Sequence, residues 1–184
     1  MTASPPSRLS VHESARAGLR QFVGFEVAGQ RYLFRIERIL EIVIPSAITR
    51  LPEVEGYVEG VMNLRGAIIP VVNLRRLFRL EAAAIDADTR LIVVDVGGRK
   101  MGCLVDSVSQ IVRLDQGDLK PAPDTVTTGG PRYVEGFARS GDALLVVLDT
   151  EQLLAPANLP VVHRAGGPPD ATEPQPQPNP TETR

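Results

Sequence analysis

Tyr57-Val-Glu-Gly60 recurs as Tyr133-Val-Glu-Gly136, and the ungapped continuation lays Ala67-Ile-Ile-Pro-Val-Val72 on Ala143-Leu-Leu-Val-Val-Leu148. A second ungapped alignment, upstream, places Phe25-Glu-Val-Ala-Gly-Gln-Arg31 on Val94-Asp-Val-Gly-Gly-Arg-Lys100 and carries Ile36-Glu37 onto Val105-Asp106, Ile39 onto Val108 and Ile42 onto Ile111. Both copies close on an apolar pair, Leu77-Phe78 and Leu153-Leu154. Apolar alternation alone matches easily between β-rich chains, whereas an identical four-residue word followed by a matching apolar pattern indicates duplication.

Within each copy the apolar runs are short, as in Phe22–Phe25, Ile68–Val72, Leu91–Val96 and Leu144–Leu148, and glycine, proline or charged turns separate them. That pattern predicts a mainly β protein. Ala28-Gly29-Gln30 and Gly97-Gly98-Arg99 read as tight hairpin turns, because glycine supplies the positive φ they need. Ile36–Leu40 and Leu74–Phe78 have room for short helical turns. Two copies of about sixty residues, roughly 22–80 and 91–154, predict two similar small barrels or sheets that share a hydrophobic junction. Units of this size bury only about 60% of their unfolded surface, so packing the halves together is the expected source of stability.

Outside the repeat the composition changes. Residues 1–20 read as a loose leader, polar and charged where an export signal needs an apolar core. From Ala155 onward the chain holds eight of its sixteen prolines, and 155–184 is expected to be a disordered Pro-rich tail. The folded domain is therefore expected over 21–154. No apolar run approaches the roughly 20 residues of a membrane span, so a cytoplasmic protein without direct membrane insertion is expected.

Charge and residue types exclude several functions. Lys and Arg total 20 against 22 Asp and Glu, a net charge of -2, which provides no positive field for nucleic acid. Aromatic residues make up 4% of the chain and Trp is absent, leaving few platforms for stacked bases. His12 and His163 both fall in the tails, away from any rigid site that would orient a base. The single Cys103 sits in an apolar stretch and reads as a buried structural thiol. Clustered Cys and His ligands for zinc are lacking, and the glycine pairs lack the lysine of a phosphate loop. Glu37 and Glu41 read as structural carboxylates. These features predict a protein without catalytic residues, cofactor or metal, whose partners are other proteins.

Positions shared by both copies are explained by the common fold, so a function specific to one half belongs where they diverge. The sharpest divergence is Asn63-Leu-Arg-Gly66, whose counterpart Arg139-Ser-Gly-Asp142 has the composition of a plain hairpin turn. Arg65 there can pair with a carboxylate, within the protein or on a partner. Glu41, amid apolar neighbours, is the natural internal candidate. Ile36-Glu-Arg-Ile-Leu-Glu-Ile-Val43 places Ile36, Ile39, Leu40 and Val43 at helical spacing, yet its β-branched content also allows a strand, and its simplest reading is core.

Gly60-Val-Met-Asn-Leu-Arg-Gly-Ala-Ile-Ile-Pro-Val-Val-Asn-Leu74 resembles the signature of the CheW-like family. The resemblance extends through Tyr32–Ile42, Val105-Asp106 with Val108, Lys120-Pro-Ala-Pro123 and Tyr133–Leu154, which is essentially all of 21–154. It implies two five-stranded, SH3-like β-barrels packed across a hydrophobic groove. It further implies an adaptor of two-component signalling that couples the cytoplasmic tips of methyl-accepting chemoreceptors to a CheA-type histidine kinase in chemotaxis. Adaptors of this kind also serve chemosensory pathways that control type IV pili, gliding or cyclic-nucleotide signalling. Matched position by position, the resemblance makes Ile39 a receptor contact, Glu41 and Arg65 an acid and a base that pair for coupling, and Asn63 and Gly66 the turn presenting that arginine. Arg90 departs from the pattern, standing where better-known members carry an apolar residue.

Overall fold

The computed structural model describes residues 19–115, 117–123 and 132–155, so the expected leader (up to residue 18), the expected tail (beyond residue 155), His12 and His163 lie outside the described residues. Among the described residues twelve strands run in chain order as β1 (Leu19–Val27), β2 (Gln30–Arg35), β3 (Ile39–Val43), β4 (Ile48–Thr49), β5 (Val58–Leu64), β6 (Ala67–Asn73), β7 (Arg90–Val96), β8 (Arg99–Val105), β9 (Ser107–Asp115), β10 (Lys120–Pro121), β11 (Val134–Ser140) and β12 (Ala143–Leu148). Among the described residues two short α-helices, α1 (Leu74–Leu77) and α2 (Thr150–Leu154), follow β6 and β12. Asn73 and Asp149 cap them, the Asn73 side chain accepting from Arg76 N and that of Asp149 from Glu151 N and Gln152 N.

The hairpin turns form where glycine predicts them. Ala28 and Gly29 (φ 52° and 76°) join β1 to β2, and Gly97 and Gly98 (59° and 81°) join β7 to β8, each with positive φ at both loop positions as a type I′ turn requires. The ambiguous stretch after β2 divides, with a 3-10 turn at Ile36–Arg38 followed by β3. β-branching was the true signal for Ile39–Val43, whereas the helical spacing of Ile36, Ile39, Leu40 and Val43 runs across the junction of turn and strand and marks no single helix.

Barrel I has the strand order β10-β11-β12-β2-β1-β9 and barrel II the order β3-β7-β8-β6-β5-β4. Each contains five long strands and one two-residue strand, matching the five-stranded SH3-like architecture. The barrels do not coincide with the sequence copies, however. The β1–β2 hairpin of the first copy joins barrel I, otherwise built from the second copy, and the β7–β8 hairpin of the second copy joins barrel II. The two hairpins are exchanged because each lies parallel to the last strand of the other copy, β2 beside β12 and β8 beside β6.

Three cores follow from this exchange. Barrel I encloses Phe22, Leu33, Leu114, Ala138, Leu145 and Val147, and barrel II encloses Met62, Ile69, Val71, Leu91, Val93 and Leu104. Between the barrels lies a larger core of fourteen buried side chains, including Phe25, Phe34, Tyr57, Leu74, Ile92, Cys103 and Leu153. Each such side chain contributes on the order of 1.5–3 kcal/mol when buried, so the junction holds more stabilisation than either barrel interior. Rings connect across it: Phe25 packs on Phe34 (4.6 Å between centroids) and Tyr32 (5.8 Å), Tyr32 on Phe78 (5.2 Å), and Phe78 on Tyr133 (5.8 Å).

The repeated word has a structural explanation in both copies. A register shift separates Val58 from Gly60 and, equivalently, Val134 from Gly136. A Cβ on Gly60 would overlap the Thr49 carbonyl, and one on Gly136 the Lys120 carbonyl, so both glycines admit the short strand that crosses them, β4 or β10. The glutamates are anchored too. Glu59 is buried, accepts from Asn73 Nδ2 at 3.0 Å and lies 3.5 Å from both Arg50 and Arg76. Glu135 receives both arms of the Arg35 guanidinium, with Nε at 2.9 Å, and that hydrogen bonding raises the Arg35 pKa above its ordinary value.

Candidate partner-binding site

The β5–β6 hairpin turns on Arg65 and Gly66, both at positive φ (51° and 90°). At the equivalent turn Gly141 supplies positive φ and Asp142 does not adopt it, so the two copies use different turn types. Asn63 Oδ1 accepts from Gly66 N at 2.8 Å and fixes the loop. A Cβ at Gly66 would meet nothing within 4 Å, so glycine is required there by backbone conformation and not by crowding. An arginine in the left-handed region costs on the order of 1 kcal/mol, which an Asn or Gly at position 65 would avoid.

Glu41 lies on β3, whose register shifts between Ile39, opposite Val94, and Glu41, opposite Val93. Val94 belongs to the core between the barrels and Val93 to the interior of barrel II. The bulge therefore turns two residues of equal strand parity to different faces. Ile39 packs, partly buried, against the inter-barrel core. Glu41 takes the same side as Val43, at the mouth of barrel II, where Arg65 Nη2 sits 2.8 Å from its Oε2.

The structure thus brings together Glu41, Asn63, Arg65 and Gly66, and places Ile39 one register shift away on the neighbouring face. The pair is unequal: the Arg65 side chain is 79% exposed and that of Glu41 24%. Glu41 Oε2 is shielded from solvent yet accepts no aligned hydrogen bond, so the contact is an ion pair without hydrogen-bond geometry. With the guanidinium so exposed, it contributes under about 1 kcal/mol.

Beside the pair runs an apolar stripe that helical periodicity concealed. Leu40 and Ile42 point outward from β3, and Ile44 follows them, 71% exposed. Leu40, read as core from its spacing, lies on the surface because a strand alternates where a helix would gather. Among the described residues β3 is an edge strand paired to β7 alone, so the stripe borders the edge of that sheet. Arg90 is engaged locally, its Nη1 donating to the carbonyls of Ala87 (2.7 Å) and Thr89 (2.8 Å).

A further pair escaped the sequence reading. Arg75 on α1 grips Asp106 through Nε and Nη2, both at 2.7 Å, and Asp106 Oδ2 also accepts from Ala28 N at 2.6 Å. This ties α1 and the end of β8 to the β1–β2 turn of the other barrel. Glu151 on α2, the residue equivalent to Arg75, has the opposite charge and pairs with Arg38, which aligns with Ser107 and not with Asp106, at 2.7 Å. Acids and bases 31 and 113 residues apart carry no periodic signal that would reveal such partners.

Nothing in this arrangement supports bond chemistry at Cys103, whose thiol burial pushes up to about 12. Comparison with known proteins points the same way. Residues 21–157 match the CheW-like domain model. The chain is 37% identical over 134 residues to the chemotaxis protein CheW of Helicobacter pylori, covering 73% of this chain and 81% of that protein. It is 31% identical over 104 residues to protein FrzA of Myxococcus xanthus, covering 56% and 65%. Among solved structures, the scaffolding protein TtCheW from Thermoanaerobacter tengcongensis superposes with a TM-score of 0.68 at 33% identity, covering 74% of this chain and 92% of that one. The family match and the scaffolding neighbour make the class of protein a non-catalytic adaptor. The chain belongs to the CheW-like domain family, the scaffolds of chemotaxis signalling.

Proposed function

We propose that this adaptor couples the cytoplasmic tips of methyl-accepting chemoreceptors to a CheA-type histidine kinase, in the cytoplasm, through a surface that includes Ile39, Glu41, Asn63, Arg65 and Gly66. One observation supports the site above all: Arg65 is held in a left-handed turn and presented to solvent, in return for an ion pair of small worth. A strained, outward cation beside exposed Leu40 and Ile42 suits a partner that brings a carboxylate and an apolar face. Binding two partners at once makes their encounter effectively intramolecular and raises their local concentration without any bond being made.

Purified chemoreceptor signalling fragments and a CheA-type kinase from the same bacterium test this reading. Kinase autophosphorylation is expected to rise when the adaptor is added and to rise much less with Arg65→Ala. Full stimulation by the Arg65→Ala protein removes the arginine from the site, and no stimulation by the wild type rejects the coupling role.

A further inference from the structure

The two barrels serve as controls for each other, and at one place they differ. In barrel I the parallel pairing of β12 with β2 runs over Val146–Leu148 against Tyr32–Phe34. Ahead of it, Gln30 Nε2 bridges the opening, donating to the Arg31 carbonyl at 3.1 Å and the Leu144 carbonyl at 3.4 Å. In barrel II the equivalent pairing starts one position later, at Val71–Asn73 against Gly102–Leu104. The residue equivalent to Val146 is Pro70, which has no N–H to give the ladder, and the residue equivalent to Gln30 is Arg99, which makes no such bridge.

The start of β6 and the start of β8, each paired to its own hairpin partner but not to the other, therefore border an open groove of about 770 Å³. Ile68, Ile69, Pro70, Met101 and Leu154 supply its apolar walls, and Arg99 and Lys100 its cationic rim. Ile68 is 65% exposed within it.

We propose that this groove receives the chain's own segment Leu159-Pro-Val-Val162. Leu154, the last residue of α2, lines the groove, so the chain continues from its wall. Five residues span at most about 17 Å, which lets Leu159 reach the apolar walls, and closing so short a loop costs little entropy. Leu159–Val162 is also the one run of large aliphatic residues after Ala155, in a stretch otherwise dominated by proline and polar residues. Asp170 and Glu173 follow and complement the Arg99 and Lys100 rim. Pro160 limits the backbone ladder the segment can add, so its side chains supply most of the contact.

The test uses the full chain with 13C-labelled isoleucine and methionine methyls, comparing the wild type with the double variant Leu159→Asp, Val161→Asp over a tenfold range of concentration. The Ile68 and Met101 methyl resonances are expected to move in the variant and to be independent of concentration, while Ile111 on β9 stays in place. Trypsin provides a second reading, since docking at Val162 shields Arg164. Cleavage after Arg164 is expected to be several-fold faster in the variant, and faster also in Arg99→Gln, Pro70→Val, which rebuilds the bridged opening of barrel I. Methyl resonances that ignore the variant but move with dilution assign the groove to a second copy and overturn the proposal. Resonances and cleavage rates that ignore both overturn it as well, leaving the groove to a separate partner.

Discussion

Arg65 Nη2 and Glu41 Oε2 lie 2.8 Å apart, although β7 and β8 stand between β3 and the β5–β6 hairpin in the sheet order. Only the curling of the sheet into a barrel brings them together. The pair spans the barrel mouth, with its acid half-shielded and its base in solvent. That geometry separates what the arginine does for the fold from what it does for partners.

Arg65→Asn creates Asn-Gly, the favoured type I′ turn, and relieves the left-handed arginine while giving up a weak ion pair. Stability is expected to change by less than about 1 kcal/mol in urea unfolding, while stimulation of the kinase in the reconstituted assay falls strongly. A loss of several kcal/mol would assign the arginine to sealing the barrel.

Gly60→Ala and Gly136→Ala each force a Cβ into a backbone carbonyl, and at Gly60 the φ of 146° adds strain. Each is expected to cost about 2–4 kcal/mol by thermal or urea unfolding. Gly66→Ala, with open space around it, should cost only about 1 kcal/mol for its positive φ. Equal losses at Gly60 and Gly66 would contradict the role assigned to the crossing strand.

Because the hairpins are exchanged, residues 19–80 and 90–155 each lack the parallel neighbour of one hairpin and half of the central core. Either fragment alone is expected to be unfolded by circular dichroism, and mixing the two to restore β structure. An independently folded fragment would show that one copy suffices for a barrel.

Cys103 is fully buried in the core between the barrels, and its thiol is pushed up to about 12, so the neutral form dominates at pH 8. Its reaction with a thiol reagent should be negligible in the native protein and rise with urea along the unfolding curve. Rapid native labelling would mean that the two barrels separate readily.

The β class, the hairpin turns at Ala28-Gly29 and Gly97-Gly98, and the duplication were legible because they are local: alternation, glycine punctuation and a repeated word sit within a few residues of one another. Arg65 was legible for a different reason, since the two copies diverge at its turn and divergence marks what the common fold does not require, while Glu41 stood out as a charge amid apolar neighbours. Leu40 was misread because Ile36–Val43 contains a 3-10 turn and a bulged strand, and their combined spacing imitates one helix.

The sequence by itself determined the elements, their twofold repetition and the position of the unusual turn, since propensity and turn chemistry act over short stretches of chain. Tertiary structure alone decided which hairpin joins which barrel, that Ile39 and Glu41 face different cores, and that Arg75 meets Asp106. Those outcomes depend on parallel pairing and on a single register shift, each fixed by burial of side chains far apart in the chain.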